Sequence, residues 1–127
     1  MNNRRARKVL LVEDEVNFAQ LLSNMLIIDG YEVTIANDGL AALLTLETYT
    51  PDVIISDVVM PNVDGFEMFK QVKASPKTSS IPFLFITGYQ DSQMLERARK
   101  IGAFGILQKP IDLEQIEHRL DELMRHR

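Results

Sequence analysis

Five short apolar runs recur along the chain, and segments with helical spacing separate them. The runs cover residues 9–12, 31–35, 53–56, 82–86 and 104–107. Several are apolar at consecutive positions, which indicates strands covered on both faces, as in parallel sheets. Parallel strands need crossover connections, and these are right-handed, so the alternation predicts an α/β fold. We expect a (βα)5 sandwich whose five-stranded parallel sheet has the order 2-1-3-4-5, with helices on both faces.

The segments between the runs carry apolar residues three and four positions apart, the spacing of amphipathic helices. We interpret these stripes, which include Phe18 in the first and Met94 in the fourth, as core-facing surfaces. Polar residues and glycines at their borders predict where the helices begin and end. The predicted boundaries are starts at Asn37 or Asp38, at Asp64 paired with Glu67, and at Asp91, and ends at Gly30 and Gly102.

Length and composition fit one compact domain, since the 127 residues are 46% hydrophobic and 25% charged. We expect a single domain over residues 1–127, with residues 1–7 as a basic N-terminal extension and no effector domain after the last helix. No residue is cysteine, which excludes disulfides and thiolate nucleophiles and suits a reducing compartment, so we predict a cytoplasmic protein. The net charge of -4 argues against direct nucleic-acid binding, and no apolar run approaches membrane-spanning length.

Polar side chains follow four of the five predicted strands. Glu13 and Asp14 come after the first strand, Asp57 after the third, Thr87 after the fourth and Lys109 after the fifth. The carboxyl ends of parallel strands meet at one edge of the sheet, where such folds bind ligands. We therefore expect three acids, one hydroxyl and one ammonium to lie close together.

Three crowded carboxylates resist joint ionisation unless positive charge lies among them, and Lys109 supplies only one such charge. Mg²⁺ suits the remainder, because it prefers oxygen ligands and commonly binds one or two carboxylates together with a phosphate. A carboxylate can attack phosphorus and form an acyl phosphate. Asp57 is therefore a candidate nucleophile, with Mg²⁺ and Lys109 stabilising negative charge and the Thr87 hydroxyl donating to a phosphoryl oxygen.

Four segments in this order, VLLVEDE, IISDVVMPNVDG, FLFITG and GAFGILQKP, resemble the receiver domain of two-component response regulators. The resemblance runs over nearly the whole chain and implies a flavodoxin-like fold. It also implies a cis peptide bond before Pro110. It implies that Asp57 is the phosphoacceptor and that Glu13, Asp14, Asp57 and the backbone carbonyl of Val59 bind Mg²⁺. It also implies that Thr87 supplies the switch hydroxyl and that Lys109 contacts the phosphoryl group.

The chain departs from the family pattern at Ile106, three residues before the lysine. An aromatic residue usually stands there and turns inward when the switch hydroxyl moves toward the phosphoryl group. A branched aliphatic side chain offers neither a phenol nor a flat ring, so the usual coupling of Thr87 to that position is in question. Tyr89, two residues past the hydroxyl, is a candidate replacement.

The function expected from this resemblance is a phosphorylation-dependent switch. A sensor histidine kinase or a histidine phosphotransfer protein would supply the phosphoryl group to Asp57. The face made by the fourth helix, fifth strand and fifth helix would then change and control a downstream effector or a homodimer. Such a protein is not a metabolic enzyme, because it catalyses only its own phosphorylation and dephosphorylation.

Three other classes of function stay open from the sequence. A Mg²⁺-dependent phosphohydrolase with an aspartyl intermediate would usually place its nucleophile after the first strand and carry a cap domain. A flavodoxin-like cofactor binder would need a phosphate loop after the first strand, where this chain has acids. A receiver-like docking module would work without phosphorylation, and Ile106 is the residue that favours this reading.

Overall fold

A computed structural model describes residues 7–88, 92–103 and 105–125 of the chain. Strands and helices alternate throughout this part. The elements in chain order are β1 (Lys8–Val12), α1 (Val16–Ile28), β2 (Glu32–Ala36), α2 (Gly39–Thr45), β3 (Val53–Asp57), α3 (Gly65–Ala74), β4 (Phe83–Thr87), α4 (Ser92–Lys100), β5 (Gly105–Gln108) and α5 (Leu113–Arg125).

The five strands form one parallel sheet in the order β2-β1-β3-β4-β5, so the predicted fold is confirmed. The register brings the carboxyl ends of neighbouring strands level with one another. Val12 of β1 pairs with Ser56 of β3, and Thr87 of β4 pairs with Gln108 of β5. Residues that follow β1, β3, β4 and β5 therefore lie along one edge of the sheet.

Two helical layers cover the sheet, because successive strand residues point to opposite faces. In β1, Leu10 and Val12 belong to the core shared with α2, α3 and α4. Val9 and Leu11 belong to the core shared with α1 and α5. The central strands β3 and β4 are buried at every position, which explains why their sequences are continuous apolar runs.

Side-chain caps begin the helices largely where the sequence predicts. Asp38 and Asp64 accept hydrogen bonds from backbone N–H groups at the starts of α2 and α3. At α1 the cap is Glu15, whose Oε1 accepts the Phe18 N–H at 2.6 Å. Gly30 follows the end of α1 with a φ of +100°, a conformation that glycine adopts without strain.

The second strand begins later than predicted, at Glu32 rather than at residue 31. Tyr31 lies between α1 and β2 and closes the end of α1, because its N–H donates to the Leu26 carbonyl at 3.0 Å. The predicted helix start at Asp91 and strand start at Phe104 lie outside the described residues, as do residues 1–6 of the predicted extension. Within the described ranges, no helix combines the length and apolar content needed to span a bilayer. The extent of the domain over residues 1–127 stays a prediction.

Candidate functional site

Three carboxylates meet at the carboxyl edge of the sheet. Glu13 and Asp14 follow β1, and Asp57 ends the neighbouring strand β3. One carboxylate oxygen from each residue lies within 4.8 Å of the other two. Glu13 and Asp57 are buried, with 0% and 7% of their surface exposed, whereas Asp14 is exposed to solvent. The cluster is therefore open to solvent on the Asp14 side.

Lys109 brings a positive charge into this cluster from beyond β5. Its Nζ lies 3.2 Å from Asp57 Oδ2 and 3.1 Å from Glu13 Oε1. The backbone holds the residue at the sheet edge, since the Lys109 N–H donates to the Thr87 carbonyl at 2.7 Å. The peptide bond to Pro110 is cis, as the resemblance implies. The ammonium also lies over the ring of Phe18, 4.3 Å from its centroid.

The pKa values of Glu13 and Lys109 are both raised, but for different reasons. Burial raises the pKa of the Glu13 carboxyl, and the Asp57 charge raises it further, although the Glu15 N–H and Lys109 oppose the shift. Burial alone would lower the pKa of Lys109, but the carboxylates of Glu13 and Asp57 raise it above its ordinary value. The lysine is thus held in its charged form next to the acids.

One oxygen of Glu13 is left without a hydrogen bond. Its Oε2 accepts the Glu15 N–H at 3.0 Å, but the buried Oε1 has no hydrogen-bond partner among the described residues. The Lys109 ammonium lies 3.1 Å from Oε1 as an ion pair, but Asp57 shares the same ammonium. A divalent cation that prefers oxygen ligands would add the positive charge that this group of crowded acids lacks. The carboxylates of Glu13, Asp14 and Asp57 therefore form a group that could bind a divalent metal ion.

The loop after β3 folds back over Asp57. The Val59 N–H lies 3.4 Å from Asp57 Oδ1, which places the predicted carbonyl ligand Val59 beside the acids; its role as a ligand stays a prediction. The Gly65 N–H donates to the Val58 carbonyl at 2.8 Å. A Cβ at position 65 would lie 2.3 Å from the Asp57 carbonyl oxygen, so only glycine allows α3 to begin this close to the site.

Thr87 reaches the same edge of the sheet, but its hydroxyl is directed toward a helix. The side chain is buried, and its Oγ1 donates to the Sδ of Met94 in α4 at 3.5 Å. Ile106 pairs with Phe85 in the β4–β5 register and packs half-buried against the core of that face. Tyr89, the predicted aromatic replacement, lies outside the described residues.

The structure thus brings together Glu13, Asp14, Asp57 and Lys109, as the strand ends predict. Sequence reasoning missed two contacts made by residues that we had interpreted only as core. Phe18 lies four residues after Asp14 in the first turn of α1, and that spacing was a usable signal for its place at the sheet edge. No comparable signal pointed to Met94.

The side chains of Glu15, Asp52 and His118 make contacts outside the cluster. Glu15 caps α1, and Asp52 accepts the Lys8 N–H at 2.7 Å at the opposite end of β3. His118 is exposed on α5 and lies 4.0 Å from Glu122. His126 lies outside the described residues.

Comparison with known proteins agrees with this geometry. The family description "Response regulator receiver domain" matches residues 9–121. The chain is 35% identical over 109 residues to "Probable transcriptional regulator ycf29" of Pyropia yezoensis, a match that covers 86% of this chain and 49% of the relative. The chain therefore spans about half the length of that curated relative.

Two solved structures share the fold over nearly their whole length. The signal receiver domain of a signal transduction histidine kinase from Syntrophus aciditrophicus has a TM-score of 0.88 and 30% identity, covering 95% of this chain and 92% of that one. The chemotaxis response regulator CheY4 of Vibrio cholerae has a TM-score of 0.85 and 36% identity, covering 93% and 98%. The chain with this acid cluster and strand order belongs to the response regulator receiver domain family of two-component signalling.

Proposed function

We propose that Asp57 accepts a phosphoryl group from a sensor histidine kinase or a histidine phosphotransfer protein. The observation that supports this most directly is the single ammonium shared between two acids: Lys109 Nζ lies 3.2 Å from Asp57 Oδ2 and 3.1 Å from Glu13 Oε1. An anionic nucleophile must approach an anionic phosphoryl group, and this lysine reduces their repulsion.

The chain's own residues can perform the transfer with little covalent chemistry. An oxygen of Asp57 attacks phosphorus, the new P–O bond forms, and the bond from phosphorus to the donor's nitrogen or oxygen breaks as that group leaves. The Lys109 ammonium stays beside the developing negative charge. Glu13, Asp14, Asp57 and the Val59 carbonyl would hold Mg²⁺. When bound, Mg²⁺ supplies further positive charge for the phosphoryl oxygens.

The surface near α4 would respond to the phosphoryl group on Asp57. The Thr87 hydroxyl would donate to a phosphoryl oxygen, and the face made by α4, β5 and α5 would change in response. This face would then control an effector protein, an effector domain or a homodimer. Hydrolysis of the acyl phosphate by water would return the protein to its resting state, so the switch would reset without a second enzyme.

Incubation with acetyl phosphate and Mg²⁺, read by intact mass, tests this proposal. We expect one added phosphoryl group on the wild type and none on Asp57→Asn. Asp52→Asn is the matched control, because it removes an acid at the opposite end of the same strand and should leave phosphorylation intact. A wild type that gains no phosphoryl mass would favour the docking module, and sustained hydrolysis of unrelated phosphoesters would favour the phosphohydrolase.

A further inference from the structure

The Thr87 hydroxyl donates to the Met94 sulfur at 3.5 Å. Met94 is the third residue of α4, and its half-buried side chain packs against the core cluster that Ala98 of the same helix also joins. Ile106 packs against that cluster too. One side chain therefore connects the switch hydroxyl to the helix whose position the proposed function requires to change.

We propose that Met94 is the positioning residue that couples Thr87 to α4, in place of an aromatic side chain at position 106. This inference rests on the proposed function. In the resting protein the thioether accepts the Thr87 hydroxyl. When Asp57 carries a phosphoryl group, the hydroxyl turns to a phosphoryl oxygen, and Met94 repacks together with α4.

The exchange of acceptors is favourable on chemical grounds. A thioether sulfur is a weak hydrogen-bond acceptor, whereas a phosphoryl oxygen is charged and accepts shorter, stronger hydrogen bonds. The contact with Met94 therefore holds the hydroxyl without preventing its transfer. It adds a small bias toward the resting state, and loss of the sulfur should weaken that bias.

Side-chain flexibility also favours Met94 over Ile106 as the moving group. Methionine is unbranched, with three rotatable bonds, and fills irregular space when its neighbours move. Isoleucine is branched at Cβ and has restricted χ1 rotamers. When the hydroxyl leaves, Met94 can fill the space beside Thr87, whereas Ile106 on β5 is restricted in its rotamers.

The test uses Met94→Leu, a swap that nearly conserves volume and removes the sulfur acceptor. The probe is beryllofluoride with Mg²⁺, which binds an aspartate carboxylate as a stand-in for a phosphoryl group. We expect Met94→Leu to bind beryllofluoride about two- to fivefold more tightly than the wild type, because one weak hydrogen bond no longer favours the resting state. Leu95→Met, an exposed neighbour on α4, should bind as the wild type does.

A second background separates coupling through the hydroxyl from simple repacking of α4. In Thr87→Val the hydroxyl is absent, so Met94→Leu should leave the affinity for beryllofluoride unchanged. An equal change with and without the hydroxyl would assign Met94 a packing role only and overturn the inference. No change, or a weaker affinity, in the otherwise wild-type protein would overturn it as well.

The same experiment distinguishes this inference from the proposed function. If the wild type neither binds beryllofluoride nor gains phosphoryl mass at Asp57, the proposed function fails. If the wild type does both and the affinity change does not depend on the Thr87 hydroxyl, only the role of Met94 fails.

Discussion

The Lys109 ammonium lies over the face of the Phe18 ring, 4.3 Å from its centroid. The same ammonium contacts the carboxylates of Asp57 and Glu13. A ring face attracts a cation through its quadrupole, and the attraction grows when the pair is shielded from water. Phe18, in the first turn of α1, therefore helps to position the Lys109 ammonium, although the two residues are far apart in the sequence.

We expect Phe18→Leu to slow phosphorylation of Asp57 by acetyl phosphate about threefold, because Lys109 loses a contact worth about 0.5–1 kcal/mol. The rate of phosphoryl mass gain under fixed Mg²⁺ measures the effect. Phe18→Tyr keeps the ring face and should react nearly as fast as the wild type. Equal rates in the Leu and Tyr variants would show that the ring does not position the lysine.

Gly65→Ala should destabilise the protein by about 2 kcal/mol, the usual cost of forcing extra atoms into a packed site. The new Cβ would lie 2.3 Å from the Asp57 carbonyl oxygen and 2.9 Å from the Val58 Cα. Both are backbone atoms, so neither can move aside cheaply. Urea unfolding measures the free energy of unfolding.

Gly88→Ala is the control for this substitution. Among the described residues, its Cβ would meet only Lys109 Cδ, at an ordinary contact distance of 3.9 Å, and the stability of this variant should stay within about 0.5 kcal/mol of the wild type. If both variants lost the same stability, close approach of α3 to Asp57 would not be what requires glycine at position 65.

Mg²⁺ should raise the melting temperature of the wild type, because a ligand that binds only the folded state stabilises it. At a concentration about 100 times Kd the gain is about 2.7 kcal/mol. Asp14→Asn removes one carboxylate of the cluster and should lose most of this gain. Glu15→Gln should keep it, since Glu15 caps α1; a loss in this control alone would place the metal elsewhere.

Ionisation of Tyr31 should make the stability of the folded state fall at high pH. Burial raises the pKa of its phenol, and the charges of Asp29 and Asp121 raise it further. The folded state therefore keeps the proton more tightly than the unfolded state, whose pKa is about 10. The resulting stability is fully present below that pH and is lost as the pH rises through the folded-state pKa.

Comparison with Tyr31→Phe isolates this contribution, because phenylalanine has no proton to lose. The difference in unfolding free energy between the two proteins should be constant at neutral pH. Above about pH 10 the wild type should lose stability relative to the variant. A constant difference through this alkaline range would show that the phenol titrates alike in both states.

The parallel α/β sheet was predictable because continuous apolar runs and helical stripes alternate without interruption. The convergence of Asp14, Asp57 and Lys109 followed from it, since parallel strands end at one edge. The predicted strand Tyr31–Ile35 began one residue too early, and the reason is a local hydrogen bond. Hydrophobicity does not indicate that the Tyr31 N–H closes α1, because this hydrogen bond depends on how the helix ends.

The spacing of apolar residues does not determine the direction in which each side chain points. Spacing placed Glu13 at the sheet edge but could not indicate that it is wholly buried with one oxygen lacking a hydrogen bond. Phe18 and Met94 fitted helical stripes and were assigned to the core alone. Their contacts with Lys109 and Thr87 depend on χ angles, which a stripe of apolar residues does not determine.

The parallel sheet places the acid cluster, Lys109 and Thr87 at one end of the molecule, away from the amino ends of the strands. Strand β3 runs over five residues from Val53 to Asp57, a span of about 13 Å for its four steps of roughly 3.3 Å. Thr50, exposed just before that strand, is accordingly a suitable place to attach a dye or to tether the protein to a surface. A label there would leave the acid cluster, Lys109 and Thr87 free to meet a phosphodonor.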